Sequence, residues 1–142
     1  MTKKKEKGYI PSMSVPVSSS IPKRMNALRQ LLEGLVSVNI DFLERHKKLT
    51  GKSHPSLYEA APKYRKADFG VWQDMPSVMN AGAGDACDLV CWRIAELRHE
   101  GYEDVHPYME MTYLEDGSTI TQVRVRINDL IEDPVVLLES AS

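Results

Sequence analysis

Cysteine is scarce in this chain: Cys87 and Cys91 are the only two, four residues apart on one predicted helix, which is no disulfide framework. There is no CxxC pair and no Cys/His cluster with zinc-ligand spacing, so no metal or other cofactor is implied. No apolar run approaches the roughly 20 residues of a membrane span. The Lys-rich start is followed by no apolar signal segment, so the protein is expected to stay where it is made, in a reducing compartment and away from membranes. Histidine is absent from 119–127, an absence that matters below.

What is present suits a soluble globular domain. Apolar residues make up 42% and charged residues 27% of 142 residues, enough for one domain with its own core. The formal charge of −2 conceals an asymmetry: residues 1–80 carry a balance of +7 and residues 81–142 one of −9. Such polarity suits head-to-tail association or an acidic partner; two solvated faces explain it equally well.

Residues 1–24 read as an extended N-terminal arm. Lys3, Lys4, Lys5 and Lys7 precede a stretch, 11–22, that holds three prolines and five serines. That composition disfavours helix and central strand and offers little apolar surface. A neighbouring subunit is the expected agent to hold such an arm. The lysines could touch nucleic acid, but only Tyr9 is interleaved with them, so that partner is weakly supported.

Residues 25–142 read as one domain. Leu28, Leu31, Leu32, Leu35, Val38, Asn39, Phe42 and His46 recur at helical spacing and predict a helix over 25–48. Leu57 to Asp68 reads as irregular, with one helical turn at 57–60. Phe69 to Gln73 reads as a short apolar loop, Pro76 to Asn80 as a helical turn, and 86–100 as a second long helix. The period then changes to two: Val105 to Leu114 and Thr119 to Ile127 are strands joined through Glu115-Asp116-Gly117-Ser118. On the second strand Ile120, Gln122, Arg124 and Arg126 share one face. After a tight turn at Asn128-Asp129, a third strand ends at Asp133-Pro134, and Val135 to Leu138 is an apolar tail. Helices followed by an antiparallel meander define an α+β domain.

The stretch Gly82-Ala83-Gly84-Asp85-Ala86-Cys87-Asp88-Leu89 combines a Gly-rich turn, an Asp suited to N-capping and an apolar helix. Thiol enzymes place a reactive cysteine on such a platform, where the helix start favours a thiolate. Around it lie Leu57-Tyr58-Glu59, Tyr64-Arg65, Trp72-Gln73-Asp74-Met75-Pro76, 88–98 and Ile131-Glu132-Asp133-Pro134. In this order, over roughly 26–134, the motifs resemble the small transglutaminase-like proteins of bacteriophages, within the papain-like cysteine-enzyme superfamily. The resemblance implies a nucleophilic Cys after Gly-x-Gly-Asp, a His on the second strand as base, and an Asp near the end of the third strand to orient it.

Carried onto this chain, those positions are Ala86, Gln122 and Asp133. A methyl group and an amide cannot perform thiol acyl transfer. The expectation is therefore a pseudoenzyme: a non-enzymatic phage virion structural protein of head, connector or tail, localised in the virion after synthesis in host cytoplasm. It would bind other virion proteins through the arm in an oligomeric assembly. Two alternatives stay open. One is a cysteine hydrolase or acyl transferase using a displaced Cys87, or a native Cys replaced by Ala86, with His99 and His106 as the nearest bases. The other is an inactive-cleft module for peptides or cell-wall fragments, with Trp72 and Gln73 lining the cleft. Read blandly, Cys87, Cys91, Trp72 and Trp92 are core, Asp85 is an N-cap, Asp133 is a cap or turn residue, and His46 and His54 cap helix carbonyls.

Overall fold

The computed structural model describes residues 21–66 and 71–141. It is a mixed α/β structure with a long N-terminal helix and a small antiparallel three-stranded sheet. Helix α1 runs Ile21–Thr50 and so takes the last four residues assigned to the arm. Pro22 does not prevent this. It sits in the first turn, where its missing N–H has no helical acceptor anyway. Residues 1–20 of the arm, and Phe69 and Gly70 of the apolar loop, lie outside the described residues.

α1 buries Leu32, Leu35, Val36, Asn39 and Leu43 along one stripe, against helix α4 (Ala86–His99). α4 is the centre of the fold. Leu89, Val90, Cys91, Trp92, Ile94 and Ala95 are fully buried, as a helix covered on all sides requires. Its other face meets the sheet of strands β3 (Val105–Tyr113), β4 (Thr119–Ile127) and β5 (Leu130–Glu132). There Val105, Met109, Val123 and Val125 point inward.

Between α1 and α4 the chain makes a one-turn helix α2 (Leu57–Ala60), a two-residue strand β1 (Lys63–Tyr64), helix α3 (Met75–Ala81) and strand β2 (Ala83–Gly84). β1 and β2 pair in parallel, a ladder too short to leave a sequence pattern. The C-terminal apolar tail is a helix, α5 (Pro134–Ala141). Asp133 caps it, accepting from the N–H of Val135 (3.1 Å) and Val136 (3.4 Å), and Pro134 occupies the first helical position.

The histidines do not cap α1. Thr50 Oγ1 donates to the His46 carbonyl at 2.8 Å and Gly51 N–H to the Lys47 carbonyl at 2.8 Å. His46 and His54 instead stack edge-on, with centroids 5.1 Å apart, and His54 lies 5.8 Å from Trp92. Burial lowers the His54 pKa, so the ring favours its neutral form.

Candidate functional site

The platform at 82–88 forms for reasons of packing. Gly82 ends α3 in the left-handed region, φ 76°, a conformation glycine adopts without strain. Gly84 is enclosed: a Cβ there would lie 3.1 Å from Asp88 Cβ and 3.2 Å from Val78 Cγ2. Asp85 and Asp88 then close a reciprocal capping box. Asp88 N–H donates to Asp85 Oδ1 at 2.8 Å and Asp85 N–H to Asp88 Oδ2 at 3.1 Å. Asp88 also accepts from the Gln73 N–H at 2.7 Å and from Gln73 Nε2 at 3.3 Å.

These two carboxyls are buried together. Desolvation raises both pKa values, and the Asp85 charge adds to the effect on Asp88. Gln73 is thus a strut between α3 and α4, its side chain also donating to the Ala83 carbonyl at 3.3 Å. It does not line the cleft, contrary to the expectation from sequence.

The remaining candidates meet. A cleft of about 320 Å³ opens between the start of α4, the middle of β4 and the β5–α5 junction. Ala86 and Cys87 line one wall, Gln122 and Arg124 another, and Asp133 its end. Tyr64, Lys66 and Trp72 face them. The three positions that the resemblance pairs with a nucleophile, a base and an orienting acid therefore share one groove, while their side chains are a methyl, an amide and a carboxylate.

That carboxylate is already engaged. Asp133 Oδ1 caps α5, and Oδ2 accepts from Arg124 Nε at 3.1 Å. The same guanidinium donates to Gln122 Oε1 at 3.2 Å and to Glu110 Oε1 at 3.0 Å. Arg124 therefore bridges the base and acid positions. A guanidinium holds its protons throughout the working range and serves no proton relay. Sequence reading placed Arg124 on the face of Gln122 without giving it a role; the two-residue spacing on one strand was the available signal.

The surroundings of Cys87 disfavour a thiolate. Its thiol pKa is pushed far up, first by burial and then by the Asp85 and Asp88 charges. A helix start contributes about 0.3–1 kcal/mol, less than the 1.36 kcal/mol of one pKa unit, so it does not offset them. Among the described residues that line the cleft there is no histidine. His106 pairs with Asp104 at 3.0 Å and lines a separate groove with Arg29 and Glu33. His99 ends α4, about 18 Å along the helix axis from Cys87. Cys91 is fully buried, 3.5 Å from the Leu32 carbonyl.

A second cluster fixes the walls. Arg93 donates to Glu96 (2.7 Å) and Glu132 (2.8 Å) and lies over the Tyr58 ring at 4.9 Å. Tyr58 Oη donates to Glu132. Glu96 also accepts from the Leu57 N–H (2.9 Å) and Trp92 Nε1 (3.1 Å). Tyr58, Arg93, Glu96 and Glu132 thus clamp α2, α4 and β5 together.

No group of three or more His, Cys, Asp or Glu among the described residues is placed to hold a metal. No described helix is long and apolar enough to cross a membrane. No protein-family model matches the chain, and no curated protein or solved structure matches it either.

Proposed function

We propose that this protein is a non-enzymatic scaffold, a pseudoenzyme whose transglutaminase-like cleft is retained for shape. More particularly, it is a structural component of a bacteriophage particle that makes subunit contacts. The observation that carries this reading is the cleft: Ala86 and Gln122 offer no nucleophile or base, and both oxygens of Asp133 are taken by Arg124 and the α5 amides. Exposed apolar side chains on the elements beside it support a role in contacts. Leu130 is 72% exposed, and Ile131, Val136 and Leu137 are also exposed on β5 and α5, side chains of the kind that adjoining subunits cover. The lysines at 3–7 give the arm a charge complementary to the acidic C-terminal half of a neighbour.

Mass spectrometry of purified particles, with cross-linking, tests the reading. The protein is expected at a fixed copy number, with cross-links from Lys3–Lys7 to a neighbouring subunit. Its absence from particles, together with monomeric behaviour in solution, would sink the proposal.

A further inference from the structure

Strand β4 outruns its neighbour β5. β5 pairs only with Val125, Arg126 and Ile127, so 119–124 has β3 on one side and, among the described residues, no strand on the other. The ends of β4 fix which groups face out. The Leu114 N–H donates to the Ser118 carbonyl at 2.8 Å, and the Asn128 N–H to the Asp104 carbonyl at 2.8 Å. Both positions are even-numbered, so even residues of β4 turn their N–H and C=O groups toward β3. Thr119, Thr121 and Val123 turn theirs the other way, and among the described residues no backbone group pairs with them.

The opposite margin of the sheet is protected. Its outward-facing residues include Pro107, which has no N–H, and Val105, whose carbonyl accepts from Arg98 at 3.0 and 2.8 Å. Proteins blunt edge strands in these ways. The β4 edge carries neither device.

We infer that two copies of this chain pair along this edge, β4 against β4, as antiparallel strands related by a two-fold axis at Thr121. The edge is its own complement in that register. Thr121 faces the partner's Thr121 and Thr119 faces the partner's Val123, each facing pair exchanging both of its N–H···O bonds. The length also fits. Arg124 faces the partner's Ser118, and beyond it the chain turns at Gly117, φ 86°. That turn falls where β5 takes over the margin, with Glu132 opposite Val125.

Charge and exposure agree with this register. Asp116 Oδ1 accepts from the Ser118 N–H at 2.9 Å and from Ser118 Oγ at 2.6 Å. The carboxylate of the partner's Asp116 therefore arrives beside Arg124, which has N–H donors to spare beyond its bonds to Asp133, Glu110 and Gln122. The hairpin end has room for a second one, because Ile120, Thr121 and Gln122 are exposed on both faces of the strand. Ile120, 48% exposed, becomes a diagonal neighbour of the partner's Ile120 on one face. A slip of one residue would lose every backbone bond, since even residues already face β3. So short a ladder makes a contact that forms and parts with concentration. The inference rests on the reading of the protein as a scaffold for subunit contacts, and names one of those contacts.

Amide exchange on the isolated full-length protein, followed by NMR from about 50 μM to 1 mM, tests it. Exchange at Thr119, Thr121 and Val123 should slow by about tenfold or more across that range, with Ile120 and Gln122 changing far less. Thr121→Pro removes an outward N–H that has no acceptor within one copy, so the ladder to β3 survives. It should abolish the concentration dependence and sediment as a monomer where the unaltered protein sediments as a dimer. Fast exchange at the three odd residues at about 1 mM would overturn the inference. So would protection there that is the same at every concentration, which means an occupant from within one chain, and so would a dimer that protects other residues instead. None of these results decides whether the protein is found in particles, which mass spectrometry tests separately.

Discussion

At position 84 the backbone of β2 lies against the side chains of Val78 and Asp88, and a methyl group there would fit only if these gave way by a few tenths of an ångström. Gly84→Ala is expected to lower stability by about 1–3 kcal/mol through overpacking, measured by urea denaturation; an unchanged midpoint would show that Asp88 yields freely. Beside it the buried Asp85–Asp88 pair sets a pH dependence. Both carboxyls have raised pKa values, so the native state keeps protons that the unfolded chain has already lost. Stability therefore falls as pH rises from the ordinary carboxylate range of about 4 through the raised values. Asp85→Asn retains a capping oxygen but removes one charge, and should flatten that decline between about pH 4.5 and 7.5. Glu33, whose pKa is lowered chiefly by its hydrogen bond to Arg98, pulls the other way by losing stability as pH falls, but it does so equally in both proteins. Parallel slopes would contradict the assignment. At this scale the sequence was informative about identity and silent about neighbours. Gly82, Gly84 and Asp85 were legible as turn and cap, and Ala86 as an empty position. The bridge from Arg124 to both Gln122 and Asp133 depends on a strand and a helix start meeting in space, which no spacing along the chain reveals.

Among the elements, β4 was readable to its end residues because one of its faces is buried and the other is not. Helix α1 extends beyond the span its apolar spacing predicts, by two residues at its end and four at its start, where a proline in a serine run suggests coil although its place in the first turn makes it compatible with helix. α5 was read as a tail because its apolar residues run together; the Asp133-Pro134 pair ahead of it was the start signal. The parallel pairing of β1 with β2 had no signal at two residues. What joins the elements is the Tyr58–Arg93–Glu96–Glu132 cluster. Arg93→Met should destabilise by about 3–5 kcal/mol, because it leaves the buried Glu96 charge without its cation. The same substitution combined with Glu96→Leu should recover part of that loss, as thermal melts of the two variants would show. No recovery would mean that Arg93 acts by packing alone.

For the whole molecule, one helix, α4, carries both the core and the cleft, so the groove persists whenever the protein folds. Persistence of a groove is therefore no sign of activity. The chemistry must be judged from the groups inside it: a methyl, an amide and an engaged acid at the three expected positions, the Arg124 guanidinium that joins the last two, a thiol whose pKa is raised by burial and two carboxylates, and beside them Tyr64, Lys66 and Asp85. The most direct measurement is the rate of Cys87 alkylation by iodoacetamide in native protein between about pH 5 and 9, relative to unfolded chain, each unit of raised thiol pKa costing about tenfold in thiolate. A scaffold should react more than about tenfold more slowly than the unfolded chain, with a rate still rising at the alkaline end. Fast alkylation that levels off below about pH 7 would mean a stabilised thiolate, and would contradict a cleft kept only for its shape.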